Sequence, residues 1–336
     1  MVRVAILGAS GYAALELIKL LLRHPEVQIT ALTTRQAEPR PVGDVHPALA
    51  GRLDLQLENL SASQVAERAD CVFCCLPHGA SAAAVAELLP RAKKVVDLSA
   101  DYRLNDAAEY KKWYGLEHPD PARMLAAAYG LPELYRDEIK NASLVANPGC
   151  YPTSAILALA PLLEAGAIKS DGIIVDSKSG VSGAGREPKP HLHFAECNES
   201  VSAYGVGTHR HMPEIDQVLS DVARSDVRVV FTPHLIPMDR GILTTCYAQP
   251  TGEFDDKSLL AILCDFYADE PFVRVSPALP STKQVSGTNF CDVAVRTVRG
   301  RIITVSVIDN LMKGASGAAV QNFNLLFNFP ETTALL

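Results

Sequence analysis

The sequence predicts an α/β chain: a doubly wound parallel sheet first, then an α+β domain on a mainly antiparallel sheet. Three observations carry this. The first 145 residues or so alternate strand-like and helix-like runs; a Gly-rich turn follows the first of those strands; and after Cys150 most runs are extended. At 336 residues the chain is well beyond the usual size of one domain. The expected division is residues 1–148, completed by 310–336, and residues 149–309.

Val2–Leu7 is apolar except for Arg3 and ends at Gly8-Ala9-Ser10-Gly11, the pattern of a buried parallel strand entering a turn. Apolar positions 14, 15, 17, 18, 21 and 22 then keep helical spacing until His24-Pro25. A strand over Val27–Thr33 completes the βαβ unit. The runs 70–76 and 95–98 flank an Ala-rich stretch at 81–89 and repeat the rhythm. Beyond Cys150, a helix is expected from about Ser154 to Glu164, then strands at 173–175, 227–231 and 242–248. Residues 292–298 and 301–308 read as a hairpin turning at Arg299-Gly300, and 309–320 as a helix returning to the first domain.

Composition narrows the function. Apolar residues make up 48% and charged residues 21%, as in a globular protein. A net charge of −7 argues against a broad nucleic-acid or anionic-membrane surface. No apolar run approaches the roughly 20 residues of a membrane helix, and the N-terminus lacks a signal peptide's apolar core, so a cytosolic protein is expected. Eight scattered cysteines suit free thiols rather than a disulfide framework.

Gly8 and Gly11, between a strand and an amphipathic helix, suit a pyrophosphate at a helix N-terminus. Ala14 takes the third small position. At the end of the second strand stand Thr33, Thr34 and Arg35, with no carboxylate for the ribose hydroxyls. Hydroxyls with a guanidinium suit a 2′-phosphate, which favours NADP(H).

Asn147-Pro148-Gly149-Cys150-Tyr151-Pro152-Thr153 delivers one Cys just before a helix, where the positive end of the dipole favours thiolate. Cys150 is the expected nucleophile. Cys71, Cys74 and Cys75, inside an apolar strand, read as core. Thr208-His209-Arg210-His211-Met212-Pro213-Glu214 offers the base: His211 is expected, with Glu214 orienting it, while His209 binds substrate or packs. The His191/His193 and His209/His211 pairs lack a further ligand cluster, so no metal is expected. The loop Ser179 to Arg186 and the stretch 97–103 each present an arginine, Arg186 and Arg103, able to meet an anion.

Together with Asp309-Asn310-Leu311-Met312-Lys313-Gly314-Ala315, these segments resemble the N-acetyl-gamma-glutamyl-phosphate reductase family over essentially the whole chain. The sequence also looks like a more distant relative of aspartate-semialdehyde dehydrogenases. Ala14 departs from the family's usual Gly. The resemblance implies a Rossmann-type domain, a catalytic and dimerisation domain, and a homo-oligomer, dimer or tetramer. It further implies NADPH-dependent reduction of an acyl phosphate to the semialdehyde through a Cys150 thioester, in arginine biosynthesis. Cofactor contacts would come from Gly8, Ser10, Gly11, Tyr12, Thr34, Arg35, Ser179, Gly180 and Asn310. Substrate contacts would come from Arg103, Ser182, Arg186 and His209, with His211 as acid/base and Glu214 beside it. Two other readings compete: a carrier-protein-linked aminoadipyl-phosphate reductase, which shares the chemistry, and a Cys/His acyltransferase, which needs no dinucleotide.

Overall fold

The computed structural model describes residues 1–91 and 94–336. The chain forms two compact units, residues 1–148 with 315–336, and residues 149–314.

The first unit is built on a sheet of strands β1 (Val2–Leu7), β2 (Val27–Thr33), β3 (Arg40–Pro41), β4 (Gln56–Glu58), β5 (Cys71–Cys74), β6 (Lys94–Asp97), β7 (Ala128–Tyr129) and β8 (Leu144–Ala146). Their spatial order is β3-β4-β2-β1-β5-β6-β8-β7. All pairs are parallel except β3 with β4. Chain order reverses direction at β1, between β2 and β5, so the Gly-rich turn after β1 stands at the switch point where open α/β sheets take their ligands. The helix Tyr12–Leu21 follows with Gly11 as N-cap.

The helix Gly317–Leu326 closes this unit and is buried on every side. Its polar residues are therefore bonded, as burial demands. Asn322 donates to the Gly130 carbonyl at 2.8 Å, Asn324 meets His24 Nε2 at 2.9 Å, and Ser316 just before it donates to Ala13 O at 2.7 Å. The return helix was expected from 309; it begins at Gly317 instead, after a π-helical turn over Met312–Ser316. Residues 310–314 stay with the second unit because Asn310 is bonded there to Gly241 and Ser182.

The second unit carries β9 (Ile174–Ser179), β10 (Ser202–Ala203), β11 (Val230–Leu235), β12 (Ile242–Ala248), β13 (Val273–Val275), β14 (Cys291–Val298) and β15 (Arg301–Ile308), ordered β10-β11-β9-β12-β15-β14-β13. The sheet is mixed but mainly antiparallel; β9 with β11 and β13 with β14 are parallel. β9 runs on to Ser179 where the apolar run stops at Val175. Its polar residues Asp176, Ser177 and Lys178 are paired in register with both β11 and β12, a contact no local pattern reveals. For the same reason β11 begins at Val230 rather than 227. Arg299 and Gly300 both take positive φ, 49° and 74°, the requirement of a type I′ hairpin turn.

The helix Cys150–Glu164 begins four residues before the expected start and is buried from Tyr151 to Leu163, packing on β12, β14 and β15. Pro161, inside it, has no N–H for the Leu157 carbonyl; Tyr267 supplies the missing donor at 2.7 Å. Ser306 ties the helix to β15 through Ser154 O at 2.8 Å. A helix buried in the core from Tyr151 to Leu163 gives its first residue a fixed place.

Candidate active site

That first residue is Cys150, with Gly149 as N-cap in extended conformation. The thiol therefore stands at the positive end of the helix dipole, where unsatisfied N–H groups favour a thiolate. Two glycines border it. A Cβ on Gly149 would lie 2.6 Å from His211 Nε2, and a Cβ on Gly314 would lie 2.8 Å from Cys150 Cβ. The imidazole thus rests directly on the residue preceding the thiol, and Gly314 forms a wall against the thiol's own Cβ.

Met212-Pro213 opens the helix Met212–Ala223, with Pro in its first turn and His211 as N-cap. Glu214, one turn in and 1% exposed, accepts from the Gly149 N–H at 2.7 Å. This bond ties the His211 helix to the cap of the Cys150 helix.

His209 is packed against rings: Tyr151 at 5.5 Å, Tyr204 at 5.5 Å, Phe231 at 5.3 Å and His211 at 4.8 Å between centroids. Burial, aided by Arg210, pushes its pKa down to about 4. Its Nδ1 accepts from the His211 N–H at 3.1 Å, so the neutral ring carries its proton on Nε2. His209 is a donor in this tautomer. Tyr151 and Tyr204 share a hydroxyl contact of 2.9 Å; burial raises both tyrosine pKa values, and the Cys150 charge adds to the rise. Sequence reasoning missed Tyr204, which has no spacing signal and reaches the site from the turn after the two-residue strand β10.

The other cysteines differ in kind. All eight are free thiols, but burial raises the pKa of Cys71 and Cys74 and pushes Cys75 and Cys246 up to about 12. Their thiolates are suppressed. Among the described residues no group of three or more His, Cys, Asp or Glu is placed to hold a metal.

Several predicted contact residues in this unit are committed to the protein itself. Ser182 donates to Asp239 O at 2.6 Å and accepts from Asn310 Nδ2 at 3.0 Å, while Asn310 Oδ1 accepts from Gly241 N at 2.7 Å. Gly180 is needed there, because a Cβ would meet Asp239 O at 2.5 Å. Ser179 is buried in β9 and donates to Gly180 O at 3.1 Å. Arg186 is exposed beyond this loop.

In the first unit, Gly8 has φ +75°, and a Cβ on it would clash with the Cys75 carbonyl at 2.7 Å. Gly11 has nothing within 4 Å of such an added atom, an open approach to the helix N-terminus. Both features suit a pyrophosphate held by backbone N–H groups. Ser10, Tyr12 and Arg35 are exposed and Thr34 half-buried around the same ends of β1 and β2. A carboxylate does reach this edge. Glu58 of β4 stands beside Thr33 in register, a neighbour made by sheet pairing, and is ion-paired to Arg68 at 2.8 Å. Arg103 is buried, donating to the Asn147 carbonyl at 2.7 Å and the Leu98 carbonyl at 2.9 Å.

A dinucleotide-type sheet in one unit and, in the other, a Cys at a helix N-terminus with the His211 ring against the residue before it suit a dehydrogenase of the semialdehyde dehydrogenase class. The family model "Semialdehyde dehydrogenase, NAD binding domain" matches residues 3–142, and "Semialdehyde dehydrogenase, dimerisation domain" matches 150–310. The fold is similar to aspartate semialdehyde dehydrogenase with NADP from Candida albicans (TM-score 0.74, 15% identity, 97% of this chain and 98% of that one). It is also similar to aspartate semialdehyde dehydrogenase II of Vibrio cholerae complexed with ASA (TM-score 0.73, 17% identity, 98% of each chain). Much nearer in sequence are proteins named N-acetyl-gamma-glutamyl-phosphate reductase. That of Rhodopirellula baltica is 52% identical, covering 99% of this chain and 98% of the relative. That of Citrifermentans bemidjiense is 53% identical, covering 100% and 98%. The chain belongs to the N-acetyl-gamma-glutamyl-phosphate reductase family.

Proposed function

We propose that Cys150 is the nucleophile and His211 its acid/base in the reduction of N-acetyl-L-glutamyl 5-phosphate to the 5-semialdehyde, with release of phosphate, in arginine biosynthesis. The observation that carries this is the contact of the His211 ring with Gly149, one residue from a thiol at a helix N-terminus. His211 takes the thiol proton, and the thiolate attacks the acyl carbon, expelling phosphate toward Arg186 and leaving a thioester. When bound, NADPH supplies a hydride. The residues of the Gly8–Gly11 turn with Tyr12, Thr34 and Arg35 would hold that cofactor, Arg35 meeting its 2′-phosphate. On the protein side, the His211 imidazolium returns its proton as the Cys150–acyl bond breaks, and the thiol is restored. His209, neutral and bearing its proton on Nε2, suits a donor to the substrate rather than a base.

An acyltransferase would leave the NAD binding domain unexplained, and the relatives' names do not favour the aminoadipyl substrate. Self-association through the open face of the second sheet fits the dimerisation-domain match. There Val230, Ile174 and Tyr247, on three neighbouring strands in register, form an exposed row. Among the described residues no helix is long and apolar enough to cross a membrane; for a reductase of amino-acid biosynthesis, as its relatives are named, the location we propose is the cytosol. The test is Cys150→Ser, assayed by phosphate-dependent NADP⁺ reduction with N-acetylglutamate semialdehyde. Activity is expected to vanish while nucleotide binding persists; wild-type-like turnover would refute the mechanism.

A further inference from the structure

Asp309, fully buried, gathers donors from three segments of the second unit. The Arg240 guanidinium meets both its oxygens, Nε to Oδ2 at 3.0 Å and Nη2 to Oδ1 at 3.2 Å. Leu311 N and Met312 N donate to Oδ1 at 2.8 and 3.0 Å, and Gly287 N to Oδ2 at 2.7 Å. Its main-chain carbonyl accepts from Gly314 N at 3.0 Å, a five-residue closure that leads into the π-helical turn Met312–Ser316. Such wide turns are frequent at functional sites. Here the turn has a definite product: it carries Gly314 to the Cys150 side chain, where an added Cβ would lie 2.8 Å from Cys150 Cβ, 3.2 Å from Ile308 Cδ1 and 3.3 Å from Asp309 O. Cys150 Cβ is no flexible chain end. It stands on the first residue of a helix buried in the core, so the wall and the thiol position each other. Arg240 is itself gripped twice, by Asp309 and, through the adjoining Gly241 N–H, by Asn310.

We propose that Asp309, clamped by Arg240, is a positioning residue for the thiol, acting through the turn that sets Gly314 against Cys150. This rests on the reading of Cys150 as nucleophile. Asp309 touches no reacting atom. Its carboxylate fixes the turn, the turn fixes the wall, and the wall fixes the direction of Sγ. Misplacement of a reacting group by about 1 Å costs about 10²-fold in rate.

The test compares Gly314→Ala, Asp309→Asn and Arg240→Lys with the wild-type enzyme. The first readout is alkylation of Cys150 by iodoacetamide across pH, mapped to its peptide by mass spectrometry, without substrate or nucleotide. The second is kcat and KM. Gly314→Ala and Asp309→Asn are expected to shift the alkylation profile and lower kcat about 10²-fold, leaving KM for NADP⁺ unchanged. Arg240→Lys, which keeps the charge, should fall between them and wild type. A folded Asp309→Asn with wild-type alkylation and kcat overturns the proposal. Should that variant not fold, Gly314→Ala decides alone, and a wild-type profile there overturns it equally. Retained turnover in Cys150→Ser would instead overturn the nucleophile reading, which the alkylation measurement does not assume.

Discussion

Replacing Gly149 with Ala separates the cost of stability from the cost of chemistry. The backbone allows it: Gly149 has φ −69° and ψ 151°, ordinary for any residue. The obstacle is the His211 ring, whose Nε2 would lie 2.6 Å from the new Cβ, with Cδ2 and Cε1 both at 2.9 Å. Ordinary contact begins near 3.4 Å, so the ring must retreat by about 0.8 Å. It is the far end of a side chain and can turn, but His209 at 4.8 Å and Tyr151 at 5.9 Å between centroids limit where it goes. Stability should fall by no more than about 1 kcal/mol. A displacement of nearly 1 Å in the base should lower kcat about 10²-fold, or about 3 kcal/mol of transition-state stabilisation. Steady-state NADP⁺ reduction with the semialdehyde and phosphate gives kcat, and urea denaturation gives stability. A variant with wild-type kcat would show that the His211 contact with Gly149 has no catalytic meaning.

Other perturbations probe separate links. His211→Asn should flatten the acid limb of the kcat/KM profile. His209→Asn should keep that limb, because His209 is neutral above about pH 4; the reverse order would exchange their roles. Arg35→Ala should weaken NADP(H) binding far more than NAD(H) binding in a nucleotide titration, and equal weakening would remove the 2′-phosphate argument. Asp97 is buried among Ser81 and Ser99, and burial raises its pKa to about 6. A raised folded-state value means its stabilising contribution is whole below the unfolded pKa near 4 and is lost as pH rises through about 6. Relative to Asp97→Asn, the wild type should therefore lose up to about 3 kcal/mol between pH 4 and 7 in denaturant melts. A difference independent of pH would contradict that.

Local chemistry wrote much of this protein into its sequence. β1, β2, β12 and β15 fall where apolar runs place them, because a buried strand needs only its own side chains to announce it. The thiol, the two histidines and the glycine turn were visible as residue types beside helix starts, where Gly and Pro report backbone needs directly. What the sequence could not state is adjacency across the fold. The polar half of β9 is a strand only because β11 and β12 flank it. Glu58 stands beside Thr33 only through pairing of β4 with β2, and Tyr204 reaches Tyr151 and His209 only because β10 pairs with β11. Glu214, expected beside the imidazole, bonds the Gly149 cap, and Gly314 touches Cys150 from 164 positions away in sequence. Residue type and spacing determine which groups exist and which elements carry them; distances of a few ångströms between remote segments belong to packing, which no single segment encodes.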